Sequence, residues 1–347
     1  MTDPPVVTVV IPAYNAARTI EETVSSVLAQ TFRRFELIIV NDGSADRTAE
    51  IIRTRFINDP RVSLIDQKNA GTAAARNAGI AAARSTLIAP IDSDDLWHPT
   101  YLEKQVGTLQ RYPRAGFVYA WSRYIDQDSR ILWTHHYPLV TGRALCQLIY
   151  WNFVANGSAM VFRKAAALAF GAYDDRAYAA EDFLLQVKLA SQHECAVTPE
   201  YLVGYRLHPG QKTKKPNQMV GRLEIFRIIR DECERVPDEV INWKISQLYF
   251  AYMEEALFAG HGRNAVQLLL RAWQNDPVGT GYRILSSLYR VGRYLTRGAK
   301  RVFAQAEVTD KGFFLQAPTI DLVAPSHALL QNRRFRYLGR LDKSDIS

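Results

Sequence analysis

The sequence predicts an α/β fold: a mostly parallel sheet with helices on both faces, followed by an α-helical C-terminal region. Three observations predict it. Apolar, β-branched runs alternate with segments of helical spacing as far as residue 206. Several of those runs break abruptly into small, amide-, hydroxyl- or acid-bearing residues. Beyond residue 215 the β-branched runs stop, and apolar residues recur every three or four positions.

Val6 to Ile11 is an unbroken β-branched run, the pattern of a strand buried on both faces. It is expected to stop at Pro12, which has no N–H for a sheet ladder. Thr19 to Gln30 carries Ile20, Val24, Val27 and Leu28 at helical spacing. Phe35 to Val40 is a second strand and runs into Asn41-Asp42-Gly43-Ser44. Strand, helix and strand in this order make a right-handed parallel crossover. Ligands of parallel sheets sit at the carboxyl ends of the strands. Pro12-Ala13-Tyr14-Asn15 and Asn41-Asp42-Gly43-Ser44 therefore share one crevice.

The alternation continues with a helix over 49–56 and a strand over 62–66. An Ala-rich helix follows in "NAGTAAARNAGIAAARS", residues 69–85. Its small residues allow close packing on the sheet, and its N-terminus offers free N–H groups to a phosphate. Arg76 lies one turn in, either toward that ligand or on a solvated face. The run Leu87 to Ile91 then delivers Asp92-Ser93-Asp94-Asp95. Three carboxylates in four residues repel one another unless they are solvated or share a cation. A hard divalent ion takes such oxygens together with substrate phosphates. The alternative is an acidic cap, by Asp94 or Asp95, on a helix starting near Pro99.

Composition bounds the remaining choices. The chain has 347 residues, enough for two domains, and 48% of them are hydrophobic, too many for a disordered chain. No apolar run reaches the roughly 18–20 residues of a membrane-spanning helix, and the N-terminus lacks the pattern of a signal peptide. Three scattered cysteines (Cys146, Cys195 and Cys233) give no metal spacing and fit a reduced, cytosolic setting. Net charge is +8, unevenly placed: residues 1–200 sum to −1 and residues 201–347 to +9. The basic excess is not interleaved with a nucleic-acid-binding motif, so no nucleic-acid partner is expected.

"VVIPAYNAARTIEETVSSVLAQTFRRFELIIVNDGSADRT", "NAGTAAARNAGI" and "LIAPIDSDDLWHPTYLEKQV" resemble, in order and spacing, the successive motifs of family 2 inverting glycosyltransferases. The resemblance covers residues 5–210 and implies a GT-A type, Rossmann-like fold, a nucleotide-sugar donor (usually a UDP-sugar) and a divalent metal, Mn²⁺ or Mg²⁺. Carried over by position, Tyr14 lies against the base and Asp42 hydrogen-bonds it, with Pro12, Ala13 and Asn15 lining the pocket. Asn69, Gly71 and Arg76 sit near the nucleotide. Asp92 and Ser93 reach the ribose or sugar, and Asp94 ligates the metal.

Inverting transfer also needs a carboxylate base opposite the departing diphosphate. "AYAAEDFLLQVKLA" offers Glu181 and Asp182 at a helix start. Alone, that pair reads as acids favouring the helix dipole. The resemblance implies Asp182 as base, with Glu181 its neighbour at the acceptor pocket. "NGSAMVFRKAAALAFGAYDD" resembles the family's acceptor-side segment and implies contacts from Asn156, Gly157, Ser158 and Gly171. Gly171 also reads simply as a turn residue. In the basic loop after "YLVGYRL", His208 is a candidate metal ligand, and Arg206 or Lys212 a partner for phosphate.

The expected organisation is a catalytic domain over 1–215, a helical domain over 216–305 and a tail over 306–347. The helical part reads as a helix in "MVGRLEIFRIIRDECERV" and a hairpin joined at Gly260-His261-Gly262. Residues 282–303 form a basic amphipathic segment suited to an anionic membrane surface or to a docked helix. The expected acceptor is a glycan or lipid-linked sugar in cell-envelope polysaccharide synthesis, met at the cytoplasmic face of the membrane. A sugar nucleotidyltransferase and a non-catalytic scaffold are the competing readings. The first lacks its Gly-rich loop after strand one, and the second leaves Asp94 and Asp182 without a purpose.

Overall fold

The computed structural model describes residues 4–134, 137–178, 180–208, 218–285 and 287. The chain divides into two units, the first running to Lys215 and the second starting at Pro216. The first opens with β1 (Val7–Ala13), α1 (Ile20–Leu28), β2 (Phe35–Asp42), α2 (Thr48–Arg55), β3 (Val62–Gln67), α3 (Thr72–Ala82) and β4 (Leu87–Pro90). It continues with β5 (Leu96–Trp97), α4 (Tyr101–Arg111), β6 (Ala115–Ile125), β7 (Ile131–Thr134) and α5 (Leu145–Tyr150). It closes with β8 (Met160–Arg163), α6 (Lys164–Leu168), α7 (Glu181–Gln192) and β9 (Glu194–Arg206).

Among the described residues nine strands form one sheet in the order β3-β2-β1-β4-β8-β6-β9-β5, with β7 paired to β6 off this path. Strands β3, β2, β1 and β4 are mutually parallel, as are β6 and β9. The antiparallel pairs involve the shorter strands β5, β7 and β8. The link from β6 to β7 is too short for a crossover helix, so that pair must turn back on itself.

β1 continues through Pro12 to Ala13, beyond the expected stop. Its ladder with β4 ends at Val10↔Pro90, followed by a bond from the Ile91 N–H to the Val10 carbonyl. Pro12 shares the edge that Val10 presents to β4, and lies past the end of that ladder, so its missing N–H costs no bond. On one face of β1, Val7, Val9 and Ile11 join Ile20, Val24 and Val27 of α1 and Leu102, Val106 and Leu109 of α4 in a buried core. The other face receives α3. A Cβ on Gly79 would stand 2.4 Å from Val10 Cγ1, so the Ala-rich helix packs as closely as its composition allows.

No aspartate caps α4. That helix starts at Tyr101 behind Thr100, without a side-chain cap, because β5 intervenes between Asp95 and the helix. In the second unit α8 (Gln218–Glu232) is followed by a hairpin of α9 (Asp238–Phe258) and α10 (Gly262–Asn275). Phe250, Met253 and Ala256 of α9 pack on Ala265, Leu268 and Ala272 of α10. The turn passes through Gly260 at φ +77°, a left-handed conformation that favours glycine. Among the described residues no helix is long and apolar enough to cross a membrane. Most of the basic segment 282–303, the tail 306–347 and Lys212 lie outside the described residues.

Candidate active site

The ends of β1 and β2 are stitched to each other. The Asn15 N–H donates to Ser44 Oγ at 3.0 Å, and Asn15 Oδ1 accepts from the Ala45 N–H at 2.8 Å. This exchange holds Asn15 at φ +50°, a conformation Asn tolerates better than most residues. Pro12 and Ala13 are buried within the strand, and Tyr14 next to them is 52% exposed. The buried Asp42 carboxylate organises the turn into α3. It accepts from the Ala70 N–H and Gln67 Nε2 at 2.8 Å each and from the Gly71 N–H at 2.9 Å. Gly43, at φ +73°, leaves room for this turn: a Cβ there would meet the Asn69 backbone nitrogen at 2.8 Å.

The acidic run leaves β4 beside β1. One oxygen from each of Asp92, Asp94 and Asp95 lies within 4.8 Å of the others. Their surroundings differ. Asp95 is buried, accepts from Ser158 Oγ at 2.6 Å and from the Arg206 N–H at 3.0 Å, and its carboxyl is pushed well up by burial and by Asp94 and Asp92. Asp94 is half-buried, and its Oδ2 lies 2.7 Å from His208 Nε2. Ser158 also accepts from the Asp92 N–H at 3.0 Å, and Thr19 Oγ1 holds the Ser93 carbonyl at 2.8 Å. The acidic turn is therefore fixed from α1, from the segment before β8 and from the end of β9. An all-oxygen set with one imidazole beside it suits a hard divalent cation, with Asp94, Asp92 and His208 as the available donors.

Arg206 cannot pair with a phosphate. It is 1% exposed, and its guanidinium is spent on the protein: Nε donates to the Asp94 carbonyl, Nη1 to the carbonyls of Asp126 and Gln127, and Nη2 to Glu22 and Ser129. The sequence names Arg206, but its proximity to Glu22, 184 residues away, is visible only in the fold.

Arg76 joins the acidic turn to α7. It is buried, ruling out a solvated face, and donates from Nη2 to Asp92 Oδ1 at 2.5 Å and from Nη1 to Glu181 Oε1 at 3.2 Å. Its guanidinium lies over the Tyr173 ring, 5.0 Å from the centroid. Asp182 follows Glu181 at the first turn of α7, and its carboxyl is pushed up to about 6 by burial and by the Glu181 charge, with Arg76 opposing. Gly157 fills the angle between them, since a Cβ there would lie 3.2 Å from Arg76 Nη2 and 3.4 Å from Asp182 Cβ. Asn156 is buried and donates to Ser122 Oγ at 2.8 Å. Gly171 is an exposed residue at φ +76° in the turn after α6, with no atom within 4 Å of an added Cβ. The structure thus gathers Arg76, Asp92, Asp94, Asn156, Gly157, Ser158, Glu181, Asp182 and His208 into one contact network, and leaves Gly171 outside it.

Residues 8–175 match the protein family described as Glycosyl transferase family 2. This segment, just under half of the chain, carries the likeness to glycosyl transferase family 2. One relative is the chondroitin synthase of Escherichia coli, 32% identical over 166 residues. That match takes in 43% of this chain and 23% of the synthase, so the chain spans under a quarter of that relative's length. The crystal structure of S. aureus TarS 1-349 in complex with UDP-GlcNAc superposes with a TM-score of 0.63 at 17% identity, over 83% of this chain and 93% of TarS 1-349. The mannosyltransferase PcManGT from Pyrobaculum calidifontis, in complex with GDP-Man and Mn2+, gives 0.55 at 19% identity, over 84% and 82%. At these identities the likeness establishes the fold, which is the GT-A type.

Proposed function

We propose that this chain transfers a sugar from a nucleotide-sugar, UDP-linked, to an acceptor hydroxyl with inversion at the anomeric carbon. The observation that carries the reading is the buried bridge Asp92–Arg76–Glu181. It ties the acidic turn after β4 to the first turn of α7, so that Asp182 stands beside the carboxylates that would meet a diphosphate. The acceptor O–H gives its proton to the Asp182 carboxylate as its oxygen bonds the anomeric carbon. The carbon–oxygen bond to the diphosphate breaks, and the nucleoside diphosphate leaves. Asp182 suits the task because a raised pKa makes its carboxylate a stronger base while leaving it ionised near neutral pH.

Asp94, Asp92 and His208 would hold a divalent cation, Mn²⁺ or Mg²⁺, which when bound supplies charge stabilisation to the departing diphosphate. Tyr14, exposed at the end of β1, would lie against the base, and Asp42 and Asn15 would shape the pocket beneath it. Asp42 already accepts from the turn before α3, which fixes the backbone of Asn69 and Gly71 where a nucleotide would approach. The acceptor is a glycan or lipid-linked sugar, and the setting is cell-envelope polysaccharide synthesis at the cytoplasmic face of the membrane. The relatedness to a bacterial chondroitin synthase supports that class of product.

A donor panel scored by nucleotide release, with and without Mn²⁺, tests the reading. Free UDP from at least one UDP-sugar, lost in chelator, is the expected result; pyrophosphate would indicate nucleotidyl transfer instead. Asp94→Ala should leave the fold intact by circular dichroism and abolish both Mn²⁺ binding and metal-dependent turnover. Wild-type turnover by that variant in chelator-treated buffer would overturn the metal assignment.

A further inference from the structure

We infer that an aromatic row across β7, β6 and β9 is the acceptor subsite, built to seat a pyranose ring of an oligosaccharide beside Asp182. The inference rests on the transferase reading and specifies what that site accepts.

Trp133, Tyr124 and Tyr205 occupy opposing positions on three neighbouring strands: Tyr124 pairs with Trp133 on one side and with Tyr205 on the other. Directly opposed residues point to the same face of a sheet. Trp133 stacks on Tyr124 with ring centroids 5.0 Å apart and planes 18° apart, and Tyr205 meets Tyr124 edge-on at 5.5 Å. Two strand spacings make this row about 10 Å long. Its outer end is open, since Trp133 is 42% exposed. Its inner end runs toward the acidic turn: Arg206, the residue after Tyr205 in β9, donates its N–H to Asp95 Oδ1 at 3.0 Å.

A second path leads from the row to the base. Ser122 lies two residues before Tyr124, hence on the same face, and holds Asn156 through its side-chain amide at 2.8 Å. Asn156 is 6% exposed, and its Oδ1 has no hydrogen-bond partner among the described residues. A buried amide oxygen of this kind is normally bonded. The next residue, Gly157, is set against Asp182, since a Cβ there would lie 3.4 Å from Asp182 Cβ. This side of the sheet therefore combines flat aromatic faces, a buried unsatisfied acceptor and a phenol, on the strands that lead to the acidic turn. A pyranose matches each part: its C–H face lies against rings, and its hydroxyls donate to Asn156 Oδ1 and accept from Tyr205.

The donor would occupy the other side. Sheet order puts β3, β2 and β1 on one side of β4, and β8, β6 and β9 on the other, with the acidic turn at the end of β4 between them. Donor and acceptor would approach the transfer point from opposite sides, as inversion requires.

The test titrates the full chain, with UDP and Mn²⁺ present, against hexasaccharides of glucose, N-acetylglucosamine and hyaluronan, by calorimetry. At least one should bind wild type. Trp133→Ala should weaken that binding about tenfold or more, the loss of one stacked ring, whereas Trp133→Phe should retain most of it. UDP affinity measured on the same variants separates a local loss from misfolding and should change little. Failure of every probe to bind, or equal binding by wild type and Trp133→Ala, would overturn the subsite. Release of UDP from donor by wild type without any oligosaccharide reports on the transferase reading alone, so the two can fail separately.

Discussion

Asp182 and Asp95 are both carboxyls raised by burial, but their surroundings differ. Asp95 is enclosed by Ser158 and the Arg206 N–H, and burial with two acidic neighbours holds its proton tightly. It ties strands together and does not reach out. Asp182 is raised to about 6 by burial and Glu181, while Arg76 limits the rise. In the proposed transfer its carboxylate form takes the acceptor proton, so kcat/KM should climb with pH through about 6 and level off above it. The sign for stability is the reverse. A carboxyl with a raised folded-state pKa contributes most below its usual pKa, near 3.8, and that contribution is lost as pH rises through about 6. Asp182→Asn should therefore be at least as stable as wild type at neutral pH, and should lose the limb near 6. A rate profile flat from pH 5 to 8 in wild type would contradict the assignment.

The elements were legible where their period was strong. The runs at β1 and β2, the spacing in α1 and the hairpin at Gly260 appear within a residue or two of where the sequence puts them. The extension of β1 through Pro12 was not legible, because the tolerance comes from where the β4 ladder ends. The antiparallel strands were not legible either, since β5 and β8 have only two and four residues and no period of their own. The acidic turn was visible as chemistry, yet its supports, Arg206, Ser158 and Thr19, come from distant parts of the chain and could only be found in three dimensions. The aromatic row likewise depends on strand register, which no local pattern encodes. Packing of α3 on β1 gives a prediction at this scale. Gly79→Ala would drive a methyl to 2.4 Å from Val10 Cγ1 and should cost about 1–3 kcal/mol, read as a lower denaturant midpoint. An unchanged midpoint would show that α3 can shift away from the sheet.

At the scale of the whole molecule, the proposed reading gives the sheet two ligand sides about one acidic turn. Residues 1–200, which hold the acidic turn and Asp182, sum to −1, while residues 201–347 carry +9. Such an excess favours contact with an anionic surface, where a lipid-linked acceptor would be found. The central claim remains the pairing of a donor site at the acidic turn with a base at Asp182. It is tested most directly by measuring kcat for transfer and donor Kd on Asp182→Asn, with saturating acceptor and Mn²⁺. The account predicts that donor affinity stays close to wild type while kcat falls about 10² to 10⁴-fold, the usual contribution of a general base. Wild-type kcat at saturation, whether or not Kd has collapsed, would show that Asp182 is not the base and contradict the account.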